Sequence, residues 1–388
     1  MPRLLIDGRP VIRDPKGVGR YAYHICLQLR DRLPEDWPFQ VLVHPENISL
    51  FPPGFRAEFV PAPHRTEIAY ALFEIPRQVR RLKPQIMLKT DESAGAVRGL
   101  PTVTVCHDVD KLIEKAQGVD LSLFRRAVNA YRRRLRCQTL QRSECVVCNS
   151  EFIRAAVHSH YGIPLARTAV AYCAIDPRFY ELSRLADSAA VRQRYGVARF
   201  ILAFATGDPR ENSRLFPALA ARLAVLGVDT CLLVAGIRRH LGSYAAELEA
   251  EFLRLGLTPG RHFVFEGFLG GDRFRDLADL YTAADFYLEL SRHEGFGMQL
   301  AEAMACGTTC ISSPGGALAE VGDKYALLVD PDNVDAIATT IQAAYNRGLD
   351  RRDNRDQVNY THKFSWDQAG IVIAGVLLQT ADRRLSKT

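Results

Sequence analysis

Ser291-Arg292-His293-Glu294-Gly295-Phe296-Gly297-Met298-Gln299-Leu300-Ala301-Glu302-Ala303-Met304-Ala305-Cys306-Gly307 is the stretch that decides how this chain reads. It is a strand end, a glycine loop and a helix. Gly295 and Gly297 permit backbone angles that other residues resist. The helix opening near Met298 and Gln299 offers unpaired amides and a positive dipole end, a setting that suits a phosphate. Glu302 follows one to two turns into that helix, placed for a ribose hydroxyl beside the same diphosphate.

Outward from this stretch, apolar runs alternate with helical periodicity, as they do for strands buried on both faces of a parallel sheet. One series comprises Leu4 to Asp7, Gln40 to His44, Thr102 to His107, Cys145 to Asn149 and Thr168 to Ala171. A second comprises Phe200 to Ala205, Thr230 to Ala235, His262 to Glu266, Asp285 to Leu288 and Thr309 to Ser312. The pattern predicts an α/β fold of two Rossmann-like, doubly wound domains facing across a cleft. The expected domains are residues 1–185 and 196–364, with 365–388 a helix docking back on the first; the polar stretch Glu181 to Val197 supplies the boundary.

The 388 residues are long enough for two domains, and a composition 47% hydrophobic and 24% charged belongs to a folded protein. The longest apolar run, Ile371 to Leu378, is too short to span a membrane, and the opening Met1-Pro2-Arg3 leads into a strand rather than a signal peptide. A cytoplasmic protein is expected, at most peripheral at the inner face of the membrane. Nine scattered cysteines argue against a disulfide framework, and Cys145 and Cys148 lack the second pair that a zinc site needs. Charge divides unevenly: residues 1–185 carry 28 Lys and Arg against 19 Asp and Glu, and the remainder 22 against 25. The basic half suits an anionic partner.

Glu294 and Glu302, with Gly-Phe-Gly between them and Glu-Ala-Met-Ala-Cys-Gly behind, closely resemble the signature of retaining GT-B glycosyltransferases of family four. Phe265-Glu266-Gly267 and Phe268, Leu280-Tyr281 to Asp285, Glu320 to Asp323 and Leu328 to Pro331 keep that family's order. The resemblance implies that Glu294 holds hydroxyls of a donor sugar and Glu302 the nucleotide ribose, with Gly267, Phe268, Gly295, Phe296, Gly297, Met298 and Gln299 around the donor. It also implies that Gly17, Gly19, Arg20 and Tyr21, in Gly-Val-Gly-Arg-Tyr, lie near the donor phosphates and the acceptor. His107 matches a histidine that contacts the donor sugar, and Asp108 adjoins it on the acceptor side. Asp108-Val109-Asp110 mimics the metal-binding Asp-x-Asp of the other glycosyltransferase fold, but that motif belongs to a single-domain architecture, and no metal is expected here.

The resemblance breaks at Pro209-Arg210-Glu211-Asn212, where the family commonly has Pro-Arg-Lys-Asn and uses the Lys to neutralise the diphosphate. Arg210, Arg214 or Arg238 would have to supply the missing charge. Leu290 and Thr309 also replace prolines usual in the family. Ser150 reads as a helix cap and Asp176 as structural. The stretch holding Arg125, Arg126, Arg132 and Arg133 is helix-length, with Leu123, Val128, Tyr131 and Leu135 on one stripe; it is a solvated face, a binder of anionic lipid or a lipid-linked diphosphate, or a nucleic-acid contact.

The expected activity is transfer of a hexose from a UDP- or GDP-sugar to a saccharide or lipid-linked acceptor with retention, in polysaccharide or glycoconjugate synthesis. No cofactor, no metal and no nucleic acid is expected. The alternatives are a catalytically degenerate sugar-nucleotide-binding subunit and a peripheral binder of anionic surfaces. A sugar-nucleotide epimerase lacks a reason for the glutamate pair, and a glycoside hydrolase lacks one for the phosphate-ready loop.

Overall fold

The computed structural model describes residues 3–12, 17–63, 66–93, 95, 97–109, 123–237, 242–269, 271–351 and 353–385. The chain divides into two compact units, Met1–Ala174 with Phe364–Thr388, and Ile175–Lys363. In the first, the strands are β1 (Leu4–Asp7), β2 (Phe39–Val43), β3 (Glu58–Pro61), β4 (Ile86–Lys89), β5 (Thr102–Cys106), β6 (Cys145–Cys148) and β7 (Thr168–Val170), ordered β3-β2-β1-β4-β5-β6-β7. All of the pairings are parallel. The second holds β8 (Phe200–Phe204), β9 (Cys231–Ala235), β10 (Phe263–Phe265), β11 (Phe286–Glu289), β12 (Cys310–Ser312) and β13 (Leu327–Leu328), ordered β10-β9-β8-β11-β12-β13 and again parallel. Helices between parallel strands cover both faces, which is why β1, β4, β5 and β9 are buried at every residue.

Both sheets reverse direction of growth beside their first strand, between β1 and β4 and between β8 and β11. The loops leaving the carboxyl ends of those neighbours diverge there, and the gap is where open α/β sheets bind ligands. In the second unit it brings together the segment after β8, residues 205–212, and the segment after β11, residues 290–297: the Arg292 amide donates to the Arg210 carbonyl at 2.8 Å.

At the corresponding place in the first unit stands an ion pair with no solvent exposure. Asp7 and Lys89 end β1 and β4 as register partners, and Lys89 Nζ donates to Asp7 Oδ2 at 2.7 Å. Tyr70 Oη donates to the other oxygen at 2.8 Å. Burial alone would raise the Asp7 pKa, but Lys89 and Arg9 outweigh it and hold the carboxyl below its ordinary value. The pair ties the two strands at their functional ends, and removing either member would strand a charge in the core.

The helix Trp366–Leu385 belongs to the first unit. Its Trp366 stacks on His24 at 4.4 Å between ring centroids and meets Tyr21 edge-on at 5.7 Å. The division between units falls at 174/175, upstream of the polar stretch 181–197. That stretch is inside the second unit because it forms the helix Ser188–Tyr195, which with Arg178–Ser183 packs on the helix Phe274–Ala283. Strands β3, β4 and β13 are additions to the two series read from the sequence. All nine cysteines are unpaired, seven of them buried.

Candidate functional site

In the second unit β11 delivers Glu289 to the carboxyl edge of the sheet, where it orders the loop that follows. Glu289 accepts from Tyr287 Oη at 2.7 Å and, on its other oxygen, from Ser291 Oγ at 2.7 Å and the Ser291 amide at 3.2 Å. The loop is pinned from outside by residues 313–317. The Ser313 amide donates to the Glu289 carbonyl at 2.8 Å, and the Ala317 amide to the Glu294 carbonyl at 2.8 Å. A Cβ on Gly316 would lie 2.2 Å from the Glu294 carbonyl oxygen, so only glycine admits this approach.

Gly297 turns the chain from loop to helix at φ +95°, a left-handed conformation, and a Cβ there would stand 2.5 Å from Leu318 Cδ2. It also leaves the helix Met298–Ala305 with no side-chain cap. The first-turn amides therefore keep the donor capacity and positive potential that favour an anion. Met298 and Gln299 are half-buried at this opening, and Phe296 packs into the core beneath it.

Glu294 is half-buried in the loop, and its pKa is pushed up to about 8. Burial is the main cause, with the neighbouring carboxylates Glu289 and Glu211 adding to it and Arg210 and a hydrogen bond from Ser291 opposing it. Glu302 is buried and accepts from Tyr281 Oη at 3.2 Å. The sequence places Tyr281 in a recurring motif without a role; here its hydroxyl orients the second glutamate.

Three candidates stand for the missing lysine. Arg210 lies at the switch point, donates to Asp208 at 2.8 Å and is close enough for its charge to lower the Glu294 pKa. Arg214 points to solvent from the adjoining turn, 77% exposed, and pairs with Glu247 at 3.4 Å. Arg238 lies outside the described residues. Glu211 does not face outward as a free acid: one carboxylate oxygen accepts from the Thr206 amide at 2.6 Å and the other from the Thr206 hydroxyl, closing the turn between them. Burial raises its pKa against those two hydrogen bonds. Beyond β10, the Gly267 amide donates to Glu266 Oε1 at 2.6 Å and Phe268 is 42% exposed.

In the first unit His107, at the end of β5, is buried. Its Nε2 is 2.9 Å from the Thr90 carbonyl, which can only accept, so Nε2 is the protonated ring nitrogen. Its amide donates to Glu92 at 3.0 Å, and Asn149 donates to its carbonyl at 3.2 Å. Tyr21, expected on the acceptor side, is fully buried: its hydroxyl donates to the Ala171 carbonyl at 3.1 Å and its ring packs edge-on to His107 at 4.7 Å. It supports the histidine from the core instead. Gly17 opens the helix Gly17–Arg32, Gly19 is buried in its first turn, and Arg20 and Asp108 are half-buried. Asp110 lies outside the described residues, among which no group of three His, Cys, Asp or Glu side chains could hold a metal. Ser150 caps its helix by accepting from the Ile153 amide at 3.1 Å, and Asp176 takes a bidentate pair from Arg178, both structural roles.

The Arg-rich stretch is the helix Leu123–Arg142, with seven arginines and no acidic residue. Arg136 makes a bidentate pair with Glu67 at 2.9 and 2.8 Å. Arg132 and Arg133 are half-buried, and the side chains of Arg125 and Arg126 lie outside the described residues.

Two family models match the chain. Residues 15–179 match Glycosyltransferase Family 4, and residues 202–347 match Glycosyl transferases group 1. The chain is 27% identical over 206 residues to an O-antigen chain mannosyltransferase B of Escherichia coli, 53% of this chain and 52% of that protein. It is 27% identical over 290 residues to a GDP-mannose-dependent alpha-(1-6)-phosphatidylinositol dimannoside mannosyltransferase of Mycobacterium tuberculosis, 73% of this chain and 69% of that one. The matched stretch thus spans about half of the first relative. Among solved structures, a sucrose-phosphate synthase from Thermosynechococcus elongatus superposes with a TM-score of 0.73 at 16% identity, covering 98% of this chain and 99% of that one. WaaG, a glycosyltransferase involved in lipopolysaccharide biosynthesis, superposes at 0.71 and 15% identity, covering 96% and 99%. Its two halves thus match glycosyltransferase family models, and its fold is the two-domain, Rossmann-like GT-B fold.

Proposed function

We propose that this protein transfers a hexose, mannose being the first to try, from a nucleoside diphosphate sugar to a saccharide or lipid-linked saccharide acceptor, with retention. The observation that carries the proposal is the pairing of Glu294 and Glu302 across an uncapped helix start at the switch point of the second sheet. The amides after Gly297 and the guanidinium of Arg210 take the diphosphate, a fixed set of positive groups for the charge that develops on the leaving group. Glu302, held by Tyr281, accepts from ribose hydroxyls. Glu294 holds hydroxyls of the sugar. In its protonated form it donates as well as accepts, so one side chain can serve a hydroxyl in either sense. Displacement occurs on the face of the leaving diphosphate, whose oxygen takes the acceptor proton, so neither glutamate acts as a nucleophile.

Mannose is favoured because the O-antigen and phosphatidylinositol relatives are mannosyltransferases by name, one of them GDP-mannose-dependent. The second reading, a degenerate binding subunit, draws on Glu211. Against it, that carboxylate is spent on Thr206 and leaves Arg210 beside the loop. Purified protein given GDP-mannose and a cell-envelope glycolipid extract should release GDP only when both are present. Release of GDP without acceptor dependence, or none with any donor, overturns the proposal.

A further inference from the structure

At the opposite end of the first sheet, away from every residue assigned above, lies a recess of about 620 Å³ lined by Val97, Arg98, Leu100, Arg142, Glu144 and Arg383, with Pro101 and Thr380 beside them. It sits where β5 and β6 begin, since Pro101 precedes Thr102 and Glu144 precedes Cys145. β5 runs about 17 Å from there to the His107 end. Its wall is made by three separate pieces of chain: the turn 97–101, the end of the helix Leu123–Arg142, and the helix Trp366–Leu385.

We propose that this recess binds a phosphate-bearing ligand, an anionic headgroup or phosphorylated sugar held between Arg98, Arg142 and Arg383. Three guanidinium groups converge on it against one carboxylate, Glu144. Arg98 and Arg142 make no ion pair among the described residues, although this chain pairs its arginines readily elsewhere, as at Arg136, Arg178 and Arg273. Just outside the wall Arg167 adds a fourth cation, its guanidinium fixed by the carbonyls of Gln141 and Ser143. The field reaches the core: Arg383 and Arg167 both oppose the rise that burial imposes on the Cys145 thiol. Planar guanidinium forks match phosphate oxygens two at a time, and the volume accommodates a headgroup rather than a lone ion. Val97, Leu100 and Pro101 give it an apolar floor. A ligand here would clamp the turn 97–101 to the C-terminal helix.

The test is hydrogen exchange on the full chain with inorganic pyrophosphate, and separately with phosphatidylglycerol vesicles against phosphatidylcholine ones. Local protection separates this recess from the donor loop, where pyrophosphate is expected to protect 294–300 independently. Exchange should slow in 97–101, 142–145 and 378–384, and Arg98→Gln with Arg142→Gln should raise the half-protecting concentration at least about tenfold while leaving 294–300 unchanged. Arg383→Gln alone should act in the same direction. All of these side chains are exposed, so the variants should unfold at the wild-type temperature. Protection by pyrophosphate points to a soluble ligand and protection only by phosphatidylglycerol to a lipid headgroup. Protection by neither, or protection equal in wild type and double variant, overturns the proposal.

Discussion

Replacing Glu294 with Gln should stabilise the second unit in a pH-dependent way while abolishing transfer. In the folded protein this carboxyl titrates at about 8 instead of 4.5, driven by burial and by Glu289 and Glu211. Between those two values the folded state keeps a proton that the unfolded chain has released. Wild-type stability therefore falls as pH rises, by up to about 1.4 kcal/mol per pH unit, and levels off above the folded value. The full interval corresponds to about 5 kcal/mol, but the side chain is partly open to water, and screening should leave about 1 to 3 kcal/mol to be observed. Gln cannot titrate and stands for the protonated form, so the variant should match wild type near pH 4.5 and gain progressively toward pH 8. For a unit of this size that is a rise in Tm on the order of 5 °C. Thermal unfolding of both proteins from pH 4.5 to 9 decides it. Curves that run parallel across the range would refute the assignment of a raised carboxyl to Glu294.

Other outcomes follow from the same geometry. Arg210→Ala should lower kcat by about 10²- to 10³-fold, the loss typical of one stabiliser of developing charge, while Arg214→Ala, which removes an exposed pair with Glu247 and a contact with the Tyr244 ring, should leave kcat unchanged. Steady-state kinetics on the two variants distinguishes them. Lys89→Ala should cost about 3 to 5 kcal/mol in denaturant unfolding, because Asp7 is left charged at a position without solvent. An excess of chelator should leave turnover within about twofold, protein cations and a helix terminus serving where other transferases use a metal; loss with EDTA and recovery with Mn²⁺ would return attention to Asp108.

Much of the architecture is legible in the chain because parallel strands buried on both faces carry unbroken apolar runs, as Leu4 to Ile6 and Cys231 to Ala235 do. The strands that escape such reading lack this signature. β13 is two residues long, β3 lies at the sheet edge with Glu58 and Pro61 exposed, and β4 ends in Lys89, a charged residue that pairs with Asp7 across the sheet. At the site, the glutamates and glycines announce themselves by spacing. The groups that orient them do not: Glu289 looks like an ordinary strand-end acid until Tyr287 and Ser291 are seen donating to it, and Tyr281 is twenty-one residues from the Glu302 it holds. Tyr21 misleads for a similar reason, since a tyrosine after a glycine turn reads as exposed while the helix rotates it into the core beside His107 and Trp366. Glu211 shows the converse. Its charge looks hostile to a diphosphate in one dimension, and the turn to Thr206 removes both of its oxygens from that approach.

We propose that the loop and helix from Glu294 to Ala305 bind a nucleoside diphosphate sugar with Glu302 on the ribose. Calorimetric titration of GDP-mannose and UDP-glucose into wild type and Glu302→Ala tests it most directly. Wild type should bind at least one of them in a one-to-one complex, and the variant should lose about 1.5 to 3 kcal/mol of that affinity, the value of hydrogen bonds to a charged acceptor. Equal affinity in the two proteins, or no binding of either nucleotide sugar by wild type, would contradict it.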